Sequence, residues 1–252
     1  MSAARSFTRL LAEGQSAPIH GWGFEWFGGR ATEERPSWRY LARMSSRMAQ
    51  VESALDLQTG GGEVLAEIDR PPGLLVATEG WPPNVPLAKR NLGGIGAVVV
   101  QAPDAGPLPF RDTSFNLVVA RHPTVTPWAE IARVLSGRGT FLSQQIGAAS
   151  LRELTEALMG SQPASDRRSS RRAVEQATAA GLEVTDLQEA RLRTVFYDIA
   201  AVVAFLRKVV WIVPGFEVDA YRDSLRRLHE RIETEGQFTA HATRFLIEAR
   251  KR

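Results

Sequence analysis

The chain has no cysteine, which excludes disulfides and thiolate metal sites. It has only four histidines (His20, His122, His229 and His241), widely spaced and with no H-x-x-x-H or H-E-x-x-H pattern. No metal site is therefore expected. Long hydrophobic runs are also missing. The most apolar stretch, 199–213, is broken by Arg207 and Lys208 and is too short to cross a bilayer of about 30 Å. Residues 1–18 carry Arg5, Arg9 and Glu13 and lack the apolar centre of a secretory signal. A soluble, cytoplasmic protein is expected. Charge of one sign is not in large excess: Lys and Arg exceed Asp and Glu by 31 − 28 = 3, with a pI near 9.7. This mild basicity permits an acidic partner without requiring one.

What is present is enough apolar sequence, 44% of 252 residues, for a full core. Near the N-terminus stands an aromatic cluster with glycines, including His20, Trp22, Phe24, Trp26 and Phe27. Two readings stay open for it: an arm packed on the main domain, or a cap over a pocket with His20, Trp22 and Trp26 facing a substrate. Residues 37–51 place Trp38, Leu41, Met44, Met48 and Val51 at helical spacing. From Ser53 short apolar runs alternate with helical stretches. Strands are expected at 53–58, 74–79, 96–101, 115–120 and 140–145, with helices at 84–92 and 127–135. Continuous apolar strands alternating with helices indicate a parallel sheet covered on both faces. Segments 182–196 and 238–248 read as a closing strand pair, at least one member antiparallel. Between them, 198–236 supplies two helices joined at Pro214-Gly215. The expected fold is thus α/β, with a Rossmann-like, seven-stranded, mostly parallel sheet, helices on both faces, an N-terminal aromatic arm and a helical insert before the last strand. The expected division is an arm at 1–50 and a core at 51–252, with 198–236 as a lid.

Chemistry-bearing residues collect at the expected strand ends. Asp56 ends the first strand and precedes Thr59-Gly-Gly-Gly62, a turn that lets backbone approach a ligand. Glu79 ends the second strand, where a carboxylate can accept from both hydroxyls of a ribose. Asp104 follows the third strand and can accept from an adenine amino group. The fourth strand runs into Arg121-His122-Pro123. The spacing G-x-G-x-x-G of dinucleotide folds is absent, as is a Gly-Lys-Ser/Thr phosphate loop.

Residues 50–146 resemble class I S-adenosylmethionine-dependent methyltransferases, most of all the small-molecule group of ubiquinone/menaquinone-biosynthesis methyltransferases. Asp56-Leu-Gln-Thr-Gly-Gly-Gly62 stands where that family has D-x-G-x-G-x-G, with Gln58 in place of the first glycine. Leu108-Pro-Phe-Arg-Asp-Thr-Ser-Phe-Asn-Leu117 is similar to L-P-F-x-D-x-S-F-D-L, and Glu130-Ile-Ala-Arg-Val-Leu-Ser-Gly-Arg-Gly139 to E-x-x-R-V-L-x-P-G-G. The resemblance implies S-adenosyl-L-methionine as cofactor. It assigns cofactor contacts to Asp56, Gln58, Thr59, Gly60, Glu79, Gly80, Trp81, Asp104, Ala105 and Arg121. Trp81 either lies against the adenine or wedges the turn. His122 is the candidate catalytic base, or a hydrogen-bonder to the acceptor. A small-molecule acceptor is expected and a homodimer is left open. The alternatives are an rRNA or tRNA base methyltransferase, favoured by the Arg167–Arg172 run, and a non-catalytic S-adenosylmethionine-binding protein. The 198–236 insert, with six Lys or Arg against seven Asp or Glu, is not the basic lid that an RNA substrate favours.

Overall fold

A computed structural model describes residues 6–18 and 24–252. One sheet of eight strands runs in the order β1-β7-β8-β6-β5-β2-β3-β4. The strands are β1 (Ala31–Glu33), β2 (Ser53–Leu57), β3 (Leu74–Glu79), β4 (Val98–Gln101), β5 (Phe115–Arg121), β6 (Leu135–Ile146), β7 (Leu182–Phe196) and β8 (Phe238–Lys251). Pairs β6/β5, β5/β2, β2/β3 and β3/β4 are parallel, and β6/β8 and β1/β7 are antiparallel. The expected seven strands are therefore corrected to eight. The added strand is β1, whose three residues Ala-Thr-Glu pair with Thr194–Phe196 and are too few and too polar to carry a period.

The chain divides into two compact units. The larger holds Pro36–Ala148, Asp166–Ala190 and Arg244–Arg252. Its helices are α2 (Tyr40–Met48), α3 (Asn84–Leu92), α4 (Trp128–Val134) and α6 (Ser170–Ala179). Strand side chains alternate between two cores. On one face Leu55, Val76, Val118, Phe141 and Ile247 pack with Trp128 and Ile131 of α4 and Ala173 and Ala177 of α6. On the other, Ala54, Ala77, Leu117, Val119, Leu142 and Leu246 pack with Met44 and Met48 of α2 and Ala88 and Leu92 of α3. Burial on both faces explains why β2 and β5 read as unbroken apolar runs.

The smaller unit holds 1–35, Ala149–Ser165 and Arg191–Thr243. Its helices are α1 (Phe7–Ser16), α5 (Arg152–Met159), α7 (Ile199–Lys208) and α8 (Arg222–Glu235), the last two being the expected helix pair of 198–236. Ser6 and Asp198 cap α1 and α7 through side-chain bonds to Arg9 N and Ala201 N. Helix α1 lies so close to α7 that a Cβ on Gly14 would come within 2.7 Å of the Ala200 carbonyl oxygen. Arg30 bridges Glu13 and Asp198, at 2.8 and 3.2 Å. Among the described residues no helix is long and apolar enough to cross a membrane.

Phe141 is fully buried at the centre of the α4-side core, edge-on to Trp128 with ring centroids 5.4 Å apart. Phe141→Ala should cost about 3–5 kcal/mol, read from urea unfolding midpoints at unchanged slope.

Candidate functional site

The strand register fixes which polar side chains share a face. Asp56 pairs with Val119, and Ala77 pairs with Asp56, so Asp56, Glu79 and Arg121 all follow the alternation of the α2-side core. Gln144 pairs with Arg121 and with Leu246, and Ile146 pairs with Arg244. Glu79, Asp56, Arg121, Gln144 and Arg244 thus form a row across five neighbouring strands, at or near the ends of β3, β2, β5 and β6 and midway along β8, on the face covered by α2 and α3.

The glycine turn after β2 is held from three sides. Gly60 N donates to Glu79 Oε2 at 2.7 Å, and Trp81 N donates to Glu79 Oε1 at 2.9 Å. Thr59 N donates to the Thr78 carbonyl, and Asn91 Nδ2 on α3 donates to the Gly61 carbonyl at 2.8 Å. Gly62 has φ +80°, and a Cβ there would lie 2.7 Å from Leu92 Cγ, so a side chain is excluded twice over. Gly80 is required for a different reason: a Cβ would lie 2.5 Å from Asp104 Oδ1. That close approach sets the Asp104 carboxylate against the Glu79–Trp81 turn.

Gln58, which stands in place of a family glycine, adopts φ 56° as a glycine would. Its side chain is used within the protein. Gln58 Nε2 donates to the Val125 carbonyl at 2.6 Å, and Oε1 accepts from Thr124 N at 2.7 Å. The Thr124 hydroxyl lies 2.6 Å from Asp104 Oδ2 and 3.0 Å from Gln58 Oε1, and its one proton serves the carboxylate. The loops after β2, β4 and β5 are joined by this chain of bonds. Trp81 is 56% exposed, so its ring is free at the edge of the turn rather than wedged inside it. Ala105 is exposed beside Asp104.

The two longer motifs lock each other. Arg133 donates to Glu130 through Nε (2.8 Å) and Nη2 (2.6 Å). It also donates to the carbonyls of Phe110 (2.8 Å) and Leu108 (3.0 Å) and to Asp112 Oδ1 (2.7 Å). Glu130 Oε2 accepts from Leu108 N at 2.6 Å. The fork geometry of the guanidinium suits this work and an ammonium would not. The Arg133 bonds hold the Glu130 carboxyl below its usual pKa. This clamp fixes the segment that follows Asp104.

His122 has φ 54°, which turns its ring back beside Gln144. Its N–H donates to the Gln144 carbonyl at 2.7 Å, extending the β5/β6 ladder. Trp38 Nε1 donates to Gln144 Oε1 at 2.7 Å. An indole N–H can only donate, so the Gln144 oxygen faces Trp38 and its NH2 faces His122 Nε2, 2.9 Å away. Nε2 is therefore the acceptor, and Nδ1 carries the proton. Desolvation holds the imidazole pKa well below the usual histidine value, and the guanidiniums of Arg121, Arg244 and Arg168 push it further down. His122 is neutral near pH 7, and in this tautomer its Nδ1–H is a donor. Trp38 and Gln144 had no role in the sequence reading, because the contacts that give them one span 106 and 22 residues.

Asp56 is buried, and desolvation pushes its pKa up to about 7. The facing Thr59 hydroxyl and Arg121 pull it down, and Glu79 pushes it up. Glu79 is also raised, chiefly by desolvation, with the Trp81 and Gly60 amides opposing. The Tyr40 hydroxyl is buried near Asp56 and Arg121 and makes no hydrogen bond of ordinary length. A buried orphan hydroxyl and a half-titrated carboxyl suit a polar guest with an ammonium group. With the Gly60 and Trp81 amides and the Asn84 side chain bonded to it, the Glu79 carboxylate keeps one of its four lone pairs for a ribose hydroxyl. The residues at these strand ends therefore fit S-adenosylmethionine.

The structure brings together Asp56, Gln58, Thr59, Gly60, Glu79, Gly80, Trp81, Asp104, Ala105, Arg121 and His122 in the larger unit. Trp26 belongs to the smaller unit, where its ring packs edge-on to Phe27 and under the Arg30 guanidinium, 4.7 Å from its centroid. His20 and Trp22 lie outside the described residues.

Comparison with known proteins agrees with this geometry. Residues 55–143 match the family model of a methyltransferase domain. No curated protein sequence matches the chain. Among solved structures, a candidate methyltransferase from Bacillus halodurans C-125 is 18% identical, with TM-score 0.59, covering 84% of this chain and 98% of its own. YcgJ from Bacillus subtilis is 19% identical, with TM-score 0.61 and coverages of 85% and 99%. A cyclase, SpnF, is 17% identical, with TM-score 0.52 and coverages of 97% and 92%. At these identities the likeness is one of fold.

The Asp56 carboxyl makes a testable contribution to stability. Its pKa rises on folding from 3.8 to about 7, so the folded state binds more protons between those values. The contribution is complete below about pH 4 and is lost as pH rises through about 7. Asp56→Asn should remove that loss, flattening the stability profile between pH 5 and 8 by up to roughly 2.6 kcal/mol. Chemical denaturation of both proteins across that range measures it.

Proposed function

We propose that this chain, whose residues 55–143 match the model of a methyltransferase domain, uses S-adenosylmethionine to methylate a small-molecule acceptor. The observation that carries the reading is the set of three carboxyls, Asp56, Glu79 and Asp104, gathered around one glycine turn beside a neutral histidine. S-adenosylmethionine supplies an electrophilic methyl group on its sulfonium. In this proposal Glu79 accepts from a ribose hydroxyl while its bonds to Gly60 and Trp81 keep the turn in place. Asp104 accepts from the adenine amino group, and the exposed Trp81 ring covers the adenine face. Asp56 pairs with the methionine ammonium. Pairing favours the ionised carboxylate, so cofactor binding would release a proton from Asp56 below about pH 7.

Methyl transfer is an in-line displacement, in which alignment does most of the work. His122 would hold the acceptor through Nδ1–H, with Gln144 and Trp38 fixing the ring. Taking a proton would require the other tautomer and the loss of the Gln144 bond. His122 therefore positions, and the acceptor atom would be one that attacks without a strong base, such as a thiolate, a phenolate or a neutral amine, whose proton leaves to solvent after the transfer.

A nucleic-acid acceptor is less well supported. In the Arg167–Arg172 run, Arg171 is paired with Asp166 and Glu175 and Arg172 with Asp166, so much of its charge is locally neutralised. The three motifs favour the quinone-biosynthesis-like group of small-molecule enzymes.

The reading is tested by titrating S-adenosylhomocysteine calorimetrically. Wild type should bind, more tightly at pH 8 than at pH 6. Glu79→Gln should weaken binding by about 10- to 100-fold, the worth of one charge-assisted hydrogen bond. No binding by folded wild type overturns the reading. Transfer of labelled methyl to metabolite extracts, and not to RNA, supports the acceptor class.

A further inference from the structure

Among the described residues, three buried side-chain oxygens make no hydrogen bond, and two of them stand beside Asp56: the hydroxyls of Tyr40 and Thr59. The backbone puts them there. Arg39 has φ 47°, a left-handed turn in which it is exposed while Trp38 and Tyr40 on either side of it are buried. Trp38 goes to Gln144. Tyr40, the first residue of α2, packs in the core with Ala54, Ala77 and Val119. Those three surround Asp56 on its own face of the sheet: Ala54 is two residues before it on β2, and Ala77 and Val119 are its partners on β3 and β5. Thr59 follows Asp56 by three residues and is held against β3 by its N–H, which donates to the Thr78 carbonyl at 2.8 Å.

Folding alone gives no reason for these hydroxyls. A buried hydroxyl without a partner costs free energy, whereas Phe in place of Tyr40 and Val in place of Thr59 would fill the same space without that cost. Desolvation, and then Asp56, hold the Tyr40 pKa well above its usual value, so the phenol stays protonated and neutral. The cluster matches one chemical group. A primary ammonium has three N–H donors and no acceptor. Tyr40, Thr59 and an ionised Asp56 each offer it an oxygen, and the second Asp56 oxygen can accept from both hydroxyls, so every proton in the cluster finds an acceptor. Arg121 stands on the same face, two residues beyond Val119 on β5, and can take a carboxylate borne by the same carbon. An acid and a base so placed fit the two charges of an α-amino acid.

We propose that Tyr40 reads the amino-acid end of the methyl donor: its phenolic oxygen, together with Thr59 and Asp56, accepts the three N–H bonds of the donor's α-ammonium. The proposal rests on the methyltransferase reading of the same strand ends. It makes Tyr40, which lies outside the matched residues 55–143, a specificity residue for the donor. Adenosine compounds that lack the amine bind weakly, and those that keep the amine without the carboxylate bind better.

The test titrates four ligands calorimetrically into the full chain: S-adenosylhomocysteine, its decarboxylated form, its deaminated form, and 5′-methylthioadenosine, which has no amino-acid end. Wild type should bind the decarboxylated form at least about tenfold more tightly than the deaminated form. Tyr40→Phe should weaken both amine-bearing ligands about tenfold and leave the deaminated form and methylthioadenosine unchanged. Thr59→Val should weaken the same pair. Without ligand, Tyr40→Phe should unfold at the same urea concentration as wild type or a higher one, because the hydroxyl it loses had no partner. Indifference of the amine-bearing pair to Tyr40→Phe or to Thr59→Val overturns the proposal, as does equal weakening of all four ligands. A lower unfolding midpoint of unliganded Tyr40→Phe also overturns it, because the hydroxyl would then be bonded within the protein. Failure of folded wild type to bind any of the four is a separate result, which removes the methyltransferase reading.

Discussion

The site depends on the Glu79 carboxylate and the two backbone amides it accepts from, Gly60 N and Trp81 N. The amides belong to different loops, one after β2 and one after β3, so a single side chain sets the spacing between two strand ends. Desolvation works against the carboxylate, and the amides work for it. The balance leaves a buried anion that is held in position yet not fully satisfied. An anion already fixed by the backbone needs little reorganisation when a hydroxyl-bearing ligand binds it, in the proposed reading the ribose of the methyl donor. The Gly80–Asp104 approach and the Gln58–Thr124–Asp104 chain extend the same frame to the loops after β4 and β5.

The motifs that most resemble the methyltransferase family do not themselves carry chemistry. Glu130 and Arg133 grip each other and the backbone of Leu108 and Phe110. Asn116, which departs from the family's acid, accepts from Ser53 N and Oγ and donates to Ser136, tying the start of β2 to β6. These residues hold the walls in which Asp56, Glu79 and Asp104 stand. A sequence match to them therefore speaks for the fold and for the place of the donor. Beyond the resemblance to one group of enzymes, it identifies no acceptor.

Much of the fold could be read from the chain because the parallel strands are buried on both faces and so appear as unbroken apolar runs. The three-residue β1 has no such pattern, and its pairing with Thr194–Phe196 is visible only in three dimensions. The acids of the site could be read because each falls at or just after a strand end. Two other features could not. Gln58 keeps the glycine-like φ of the family turn at a residue whose type does not announce it, and its partners Thr124 and Val125 are 66 and 67 residues away. The tautomer of His122 depends on Trp38, in the turn just before α2, which reads in sequence as part of that helix's apolar face. Spacing can nominate a histidine, but only its neighbours decide whether it gives or takes a proton.

That decision bears on the whole reaction. Desolvation and the neighbouring guanidiniums hold the partly buried His122 imidazole neutral, which makes it a poor place to park an acceptor's proton. In the proposed reading the acidic strand ends hold the cationic donor, and the nucleophile is one that attacks without a proton first passing to this histidine. The sheet brings the two together by putting β2 next to β5.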